Sequence, residues 1–540
     1  MSLCSIIKNL SQAAMLTLLA VLASSCQWMT EDYADERTAD KDMARYINIT
    51  ISVSASESPV TRANPTGGET GDGLEMGKER ENKVDNITLI LYEDAAGINT
   101  SSTDTKVAFM ATYPVGKTGS YNNTAHDHQQ GQNGAGWTGE SDANEVIYYT
   151  TGDQKFDDTL IDDTKTYHAI VVANAPDALL ASITVNSTTI AQVRDMVLTT
   201  VYDGTGVHTD ARKFVMSSER DATVTFTNRK VDNEKNAITY YFECIHIERL
   251  AARIDFLAKT KNPTTGSYVA AQYVEAGNGI HQSGYHYSTL DTNKHGKHDL
   301  FVLTRITPFN LMTGDEYLLK RTSDDENQYL AKETTTNWVL DPYSAQTDGK
   351  PTIDPTDPTY PTYLTSTLTS VMGNFDNDFT VTLSDCQTAP TADEEAPKFS
   401  IDEGTVRADN IILSYPKENT LRGGVSNLYY YATGLAFEGY YYEAAGNSEQ
   451  FQGNGKRKVF YYFLRHQGEQ DAAYTAFTAE DLDPSKLCPD EHTGKAMNFG
   501  IVRNNIYRVS IESVSVLRGK LKIRLEEEKW RHVDNPVIYI

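Results

Sequence analysis

A chain of 540 residues with 39% apolar and 10% aromatic side chains, Tyr outnumbering Phe by 32 to 17, has the profile of a folded, β-rich protein rather than a disordered one. Its length exceeds the roughly 250–300 residues at which single cores stop growing, which predicts two or three domains. The formal net charge of −26 argues against nucleic acid as a partner, and because the acids are scattered it reads as a device for solubility.

Residues 1–25 carry one cation, Lys8, ahead of an apolar run from Ala13 to Ala23. A bilayer-spanning helix needs about 20 residues, so this run reads as the core of a signal peptide. Ala23, Ser24 and Ser25 directly before Cys26 resemble a bacterial lipobox, although Leu22 stands four places before the Cys where that pattern prefers three. Cys26 is therefore the expected lipidation site, carrying acyl chains such as palmitate, with an ordinary signal-peptidase cut as the alternative. Residues 27–45 are polar and read as a tether, and Glu31-Asp32 is similar to acidic surface-export signals.

From Tyr46 to Ser54 the chain alternates strictly. Ile47, Ile49, Ile51 and Val53 occupy one register and Asn48, Thr50, Ser52 and Ser54 the other, which predicts a strand with one buried and one wet face. Small polar residues rich in Gly and Pro follow it, with Arg62-Ala63 in their midst. Loops of this composition are preferred sites of proteolytic nicking. A strand held by a cleavable loop can be removed, leaving a groove of unpaired backbone and empty apolar pockets.

Strands are expected next at Val84–Tyr92 and Lys106–Tyr113, then a surface loop over 114–145. His126-Asp127-His128 in that loop lacks a third ligand and is read as loop rather than metal site. Tyr167–Asn174 has the pattern of a fully buried strand and Ile190–Leu198 that of a short helix; Phe214–Ser218 follows, then strands at Ala222–Thr227 and Ile238–Ile247, with Glu248–Phe256 next. Pro263 and Gly266 within Lys259–Ser267 place a domain boundary near 260. Beyond it, Leu300–Ile306, Asn310–Lys320, Phe379–Leu383, Ile411–Tyr415 and Tyr429–Phe437 are expected strands, and the five prolines between 341 and 363 mark an exposed insertion. Leu521, Ile523 and Leu525 alternate with charged residues, and the chain closes on Pro536-Val537-Ile538-Tyr539-Ile540, an apolar end with no turn to return it to a core. Exposed apolar edges of this kind are normally covered, and one cover is addition to the sheet of another subunit.

No catalytic constellation is present. Gly73-x-x-x-Gly77-Lys78 is one residue short of a P-loop and has Glu79 where Ser or Thr should follow, and Asp376-Asn377-Asp378 lacks the Gly and distal Glu of a calcium loop. Cys4 lies in the signal segment, and Cys244, Cys386 and Cys488 cannot all pair and show no zinc spacing. Neither an enzyme nor a bound cofactor or metal is expected.

Several stretches, taken in order, resemble the FimA-like fimbrillins, the type V pilins of the Bacteroidales. They are the strand-spacer-Arg62 arrangement, Asn174 after a buried strand, Phe214-Val-Met-Ser, Arg249-Leu-Ala-Ala-Arg253, Asn310-Leu-Met, Tyr415-Pro-Lys-Glu-Asn-Thr420, Ala432–Phe437, Tyr461–His466 and Gly500-Ile-Val-Arg503-Asn504-Asn505-Ile-Tyr507. The resemblance implies an all-β chain of two tandem, transthyretin-like β-sandwich domains with minor helix: a signal peptide over 1–25, a lipidated tether and removable strand over 26–62, and domains over 63–259 and 260–540. It further implies cleavage at Arg62-Ala63 by a trypsin-like protease, which frees an outer-membrane lipoprotein precursor. Polymerisation into a surface fimbria would follow, with copies of itself or related subunits. Residues Leu521, Ile523, Leu525 and Val537–Ile540 would enter the groove that Ile47, Ile49, Ile51 and Val53 vacate. The rival readings are a tip adhesin or glycan-binding surface lipoprotein, which predicts a cleft with exposed Trp and Tyr, and an enzyme, which predicts perturbed carboxylates converging in a pocket.

Overall fold

The structure of the protein, a computed structural model, describes residues 43–53, 74–75, 81–122, 128–129, 145–157, 161–203, 212–322, 339–344, 364–365, 371, 379–385, 399–401, 406–421, 431–445, 451–464, 474–475, 499–515 and 520–530. Strand is the dominant regular structure in these residues and helix is minor, as expected of an all-β chain.

The first sheet is built from β1 (Ala44–Val53), β2 (Asn86–Glu93), β3 (Phe109–Pro114), β4 (Lys117–Asn122), β5 (Glu145–Thr150), β6 (Thr166–Ala173), β7 (Met216–Ser218) and β8 (Ala237–Arg249). They lie side by side in the order β3-β2-β6-β7-β8-β1-β5-β4. Strand β6, Thr-Tyr-His-Ala-Ile-Val-Val-Ala, is buried along nearly its whole length, because apolar residues fill both of its registers. The sheet curls around one core in which Phe226 meets Tyr240 with ring centroids 5.1 Å apart and Phe156 meets Phe109 at 5.2 Å. A short helix, α1 (Ile190–Arg194), closes one side. Thr189 and Gln192 cap it reciprocally, each side chain accepting the other's backbone N–H.

The second sheet system begins four residues after the first ends. Its strands are β9 (Arg253–Leu257), β10 (Gly284–Thr292), β11 (His298–Phe309), β12 (Asn410–Ser414), β13 (Gly434–Ala444), β14 (Phe451–Phe463), β15 (Asn505–Ser515) and β16 (Lys520–Trp530). One layer runs β10-β11-β13-β14, antiparallel throughout. The other runs β12-β9-β15-β16, with β9 and β15 parallel, and the layers join where Thr289 pairs with Val514. Ile254, Phe256, Tyr507 and Val509 of one layer and Tyr285, Phe301, Phe437 and Phe460 of the other fill a common core, which makes this half a β-sandwich.

Four expectations need correction. The 114–145 segment is not simply loop, since β4 lies in it and pairs with β5. The helix expected over Ile190–Leu198 ends at Arg194, and Val197-Leu198 instead pairs with Glu316-Tyr317. Asn310–Lys320 is not one strand: Asn310 takes φ +52°, which ends the extended run of β11 at Phe309, and beyond it only Leu311-Met312 and Glu316-Tyr317 are strand, as short pieces. The polar register of β1 is not wholly wet, because Thr50 is buried. Alternating Tyr285 and Tyr287 mark β10, which the sequence reading passed over.

Candidate functional site

Strand β1 lies in the interior of the first sheet. It runs parallel to β8, with Ile47 opposite Tyr240, Ile49 opposite Phe242, Ile51 opposite Ile245 and Val53 opposite Ile247. On its other side it is antiparallel to β5 and to Gln154-Lys155. Ile47, Ile49 and Ile51 are all 0% exposed and sit in the core. Bonds beyond the ladder add to the fit. Ile49 N–H donates to the Thr151 hydroxyl at 3.0 Å, Asn48 donates to Asp153 at 3.0 Å, and Arg45 pairs with Asp163 at 2.9 Å while donating to the Tyr240 hydroxyl. Removing β1 would therefore leave an interior slot between β8 and β5, lined by unpaired backbone on both walls and by three isoleucine-sized pockets.

At the other end of the chain, β16 is paired with its own neighbour β15. Leu521 stands opposite Val514, Ile523 opposite Ile511 and Leu525 opposite Val509. Its far edge is met at the ends by Leu74-Glu75, parallel to Lys529-Trp530, and by Tyr474-Thr475, opposite Ile523-Lys522. The segment 521–525 thus has backbone partners at home, and any role as a donor requires it to leave them. Cys26, Arg62, Ala63 and Val537–Ile540, as well as His126-Asp127, lie outside the described residues.

Between the two halves lies a polar junction that the sequence did not announce. Arg253 Nη1 donates to Glu81 at 3.0 Å and its Nη2 to Asp255 at 2.7 Å, and the Tyr415 hydroxyl donates to Glu81 from the opposite side. Arg249 Nε donates to the Glu81 carbonyl at 3.1 Å, and its Nη1 to Asn504 Oδ1 at 3.3 Å. Arg503 Nη2 lies 2.7 Å from Glu316 and 2.8 Å from Glu418, and Lys320 Nζ lies 2.8 Å from Glu248. All nine charged side chains of these clusters are buried. Burial, together with the charge of Glu418, holds the Glu316 carboxyl well above the ordinary carboxylate range. For Glu418 burial acts the same way, but the charge and hydrogen bond of Arg503 outweigh it and hold that carboxyl below its ordinary value. Burial pushes Glu248 up to about 7 against the opposing pull of Lys320, and pushes Arg249 down to about 10. These perturbed groups face one another inside the junction rather than a pocket, so their chemistry is that of a lock.

Three asparagines from the stretches that carried the family resemblance share one device. Asn174, Asn310 and Asn504 take φ of +55°, +52° and +57°, a region that asparagine tolerates better than other residues with a side chain. Each uses its amide to pin other segments. Asn174 donates to the Lys83 and Phe214 carbonyls and accepts from the Asp85 N–H, all at 2.8–2.9 Å. Asn310 donates to the Ala432 carbonyl at 2.9 Å, and its own carbonyl accepts from Asn419 and Thr433. Sequence reasoning missed Glu81, Asn82, Tyr149, Glu316 and Lys320, because a polar or charged group whose partner comes from a distant part of the chain has no periodicity to betray it.

An open cleft of about 400 Å³ lies at one end of β2 and β6, lined by Asp85, Asn86, Asn174, Tyr202, Asp203 and Lys213 among others. Lys213 spans it to Asp85 at 2.7 Å. The lining includes Tyr202 and no Trp. Among the described residues no group of three or more His, Cys, Asp or Glu side chains has the geometry of a metal site, and no helix is long and apolar enough to cross a membrane.

No protein-family model matches the chain, and no curated protein matches it. Among solved structures it is similar to a protein of Parabacteroides distasonis ATCC 8503 assigned to cell adhesion, at 11% identity over 92% of this chain and 99% of that one, with a TM-score of 0.38. It is also similar to a fimbrilin (fimA) of Porphyromonas gingivalis W83, at 11% identity over 91% and 99%, TM-score 0.34. A third is the tip fimbrial protein Mfa3 of Porphyromonas gingivalis, at 9% identity over 90% and 100%, TM-score 0.32.

Proposed function

We propose that this chain is a structural subunit of a cell-surface fimbria, exported as a lipoprotein precursor through Cys26, cleaved after Arg62 and polymerised by exchange of one strand for another. The observation that carries the reading is the position of β1. It is an interior strand with Ile47, Ile49 and Ile51 fully buried, followed by the segment that contains Arg62. While tethered, β1 is present at a high effective concentration and occupies the slot, so proteolysis sets the order of events. A strand from another subunit that supplies alternating apolar side chains and a free edge then takes its place. Repeated head to tail, such a contact does not close and yields a filament. Because β16 is paired at home, the donor in this proposal is the segment after Trp530, ending in Val537-Ile538-Tyr539-Ile540, with Leu521, Ile523 and Leu525 following if β16 detaches from β15. The division into two units, expected over 63–259 and 260–540, belongs to the same proposal; the change of sheet between Arg249 and Arg253 supports two units and favours a boundary before Arg253, since β9 already lies in the second sheet system.

The test is treatment of the purified chain with a trypsin-like protease, identification of the new N-terminus and a gel run without boiling. A start at Ala63 with a ladder of multimers is the expected result, and Arg62→Ala should stay monomeric. Ladders from the uncleaved Arg62→Ala protein would remove cleavage from the mechanism. A clean cut with a monomeric product would favour the tip or glycan-binding reading.

A further inference from the structure

If β1 departs, the slot keeps its shape only if both walls stay in place. The β8 wall continues into β7 and the rest of the sheet. The other wall is different. Among the described residues, the β4–β5 hairpin joins the first sheet through β1 alone, and the Gln154-Lys155 segment that follows it likewise pairs only with β1. The bonds from Thr151 N–H to the Ile49 carbonyl (3.0 Å) and from Phe156 N–H to the Arg45 carbonyl (2.9 Å) would vanish with β1 as well.

Among the described residues, two hydrogen bonds that do not involve β1 tie the hairpin to one short segment. Val115 N–H donates to the Asp85 carbonyl at 2.9 Å. From the strand itself, Tyr149 donates its hydroxyl to the Asn82 carbonyl. Tyr149 is 2% exposed and stands opposite Ile51 in the β1–β5 ladder, so it marks the wall beside a pocket that β1 fills. Asn82 is itself fixed, because its side chain accepts from Arg249, which also holds the Glu81 carbonyl and Asn504. A continuous chain of bonds therefore runs from the slot's outer wall, through the residues just beyond the cleavable segment, into the junction between the two halves.

We infer that Tyr149, acting through Asn82, is the positioning residue that keeps the β4–β5 hairpin in register with β8 once β1 has gone, so that the slot is preformed for an incoming strand. The inference rests on the strand-exchange reading above and adds to it a specific residue whose loss disables capture without touching cleavage. Phenylalanine at 149 keeps the ring in the core and removes only the hydroxyl.

The experiment uses the full chain cut at Arg62 and a fluorescent peptide of residues 44–53, with capture followed by anisotropy. Wild type should take up the peptide, and Tyr149→Phe should do so about tenfold more weakly, the effect of losing one buried hydrogen bond. Tyr287→Phe, a buried tyrosine on β10 in the core of the second sheet system, should match wild type. Capture by Tyr149→Phe equal to wild type overturns the inference and leaves strand exchange standing. If wild type itself captures nothing, strand exchange falls and the inference falls with it. Should Tyr149→Phe fail to fold, Asn82→Ala loosens the same carbonyl from the other side; weakened capture is again expected, and undiminished capture again overturns it.

Discussion

Arg253 donates to Glu81 across 3.0 Å with both side chains closed to solvent, although 172 positions separate them. Glu81 follows the segment that carries Arg62, and Arg253 opens the second sheet system, so this one ion pair fastens the beginning of the folded chain to its second half. Breaking a buried pair from one side costs about 3–5 kcal/mol, because the remaining charge keeps its desolvation penalty. Glu81→Ala should lower unfolding free energy by about 3 kcal/mol, softened by the second partner, Asp255. Glu81→Leu with Arg253→Met and Asp255→Asn, which leaves none of these three charges behind, should recover much of it. Urea denaturation of wild type, the single variant and the triple variant checks this, and a triple variant as unstable as the single one would show that the charged cluster itself is stabilising.

Glu248 gives the junction a pH dependence of known sign. Its carboxyl titrates near 7 in the folded chain against an ordinary 4.5, so the folded state holds a proton that the unfolded state has released. That contribution to stability is complete below the ordinary value and is lost as pH rises from about 4.5 to 7. The unfolding free energy of wild type should therefore fall by about 3 kcal/mol relative to that of Glu248→Gln, whose side chain stays neutral, as pH rises through this window, at roughly 1.4 kcal/mol per pKa unit. A difference independent of pH, measured by urea titration at several pH values, would exclude the shift.

The central isoleucine of β1 should govern how firmly the strand is held. Ile49→Ala empties a fully buried pocket and should destabilise the precursor by about 2–4 kcal/mol. Under the proposed mechanism it should also quicken loss of β1 after cleavage, seen as faster appearance of multimers. Unchanged multimer kinetics with the expected loss of stability would separate β1 packing from assembly.

Asn174 combines a left-handed backbone with three hydrogen bonds, and two substitutions separate these contributions. Both Asn174→Ala and Asn174→Gly lose the bonds, but only alanine carries the penalty of a Cβ in that region, about 1–2 kcal/mol. Gly should therefore melt higher than Ala and lower than wild type. Equal melting temperatures for the two variants would show that the segment relaxes to an ordinary backbone.

The sequence carries the all-β character and the position of β1, the buried strand that the structure places at Thr166–Ala173 and the strand around Tyr507, because alternation and β-branched runs are local properties of the pleat. It also showed that Asn174, Asn310, Arg249, Arg253 and Arg503 belong to ordered motifs, but it assigned them no physical task. The fold was needed to show that β1 lies parallel to a strand nearly two hundred positions away, and that Arg249, Arg253 and Arg503 are buried together at one junction while Asn174 and Asn310 each pin neighbouring segments. Pairing between distant strands depends on which edges and pockets the rest of the fold leaves open. The burial of a charge depends on a counter-charge supplied from elsewhere in the chain, which is why Glu81, Asn82 and Tyr149 looked ordinary until the fold brought them together.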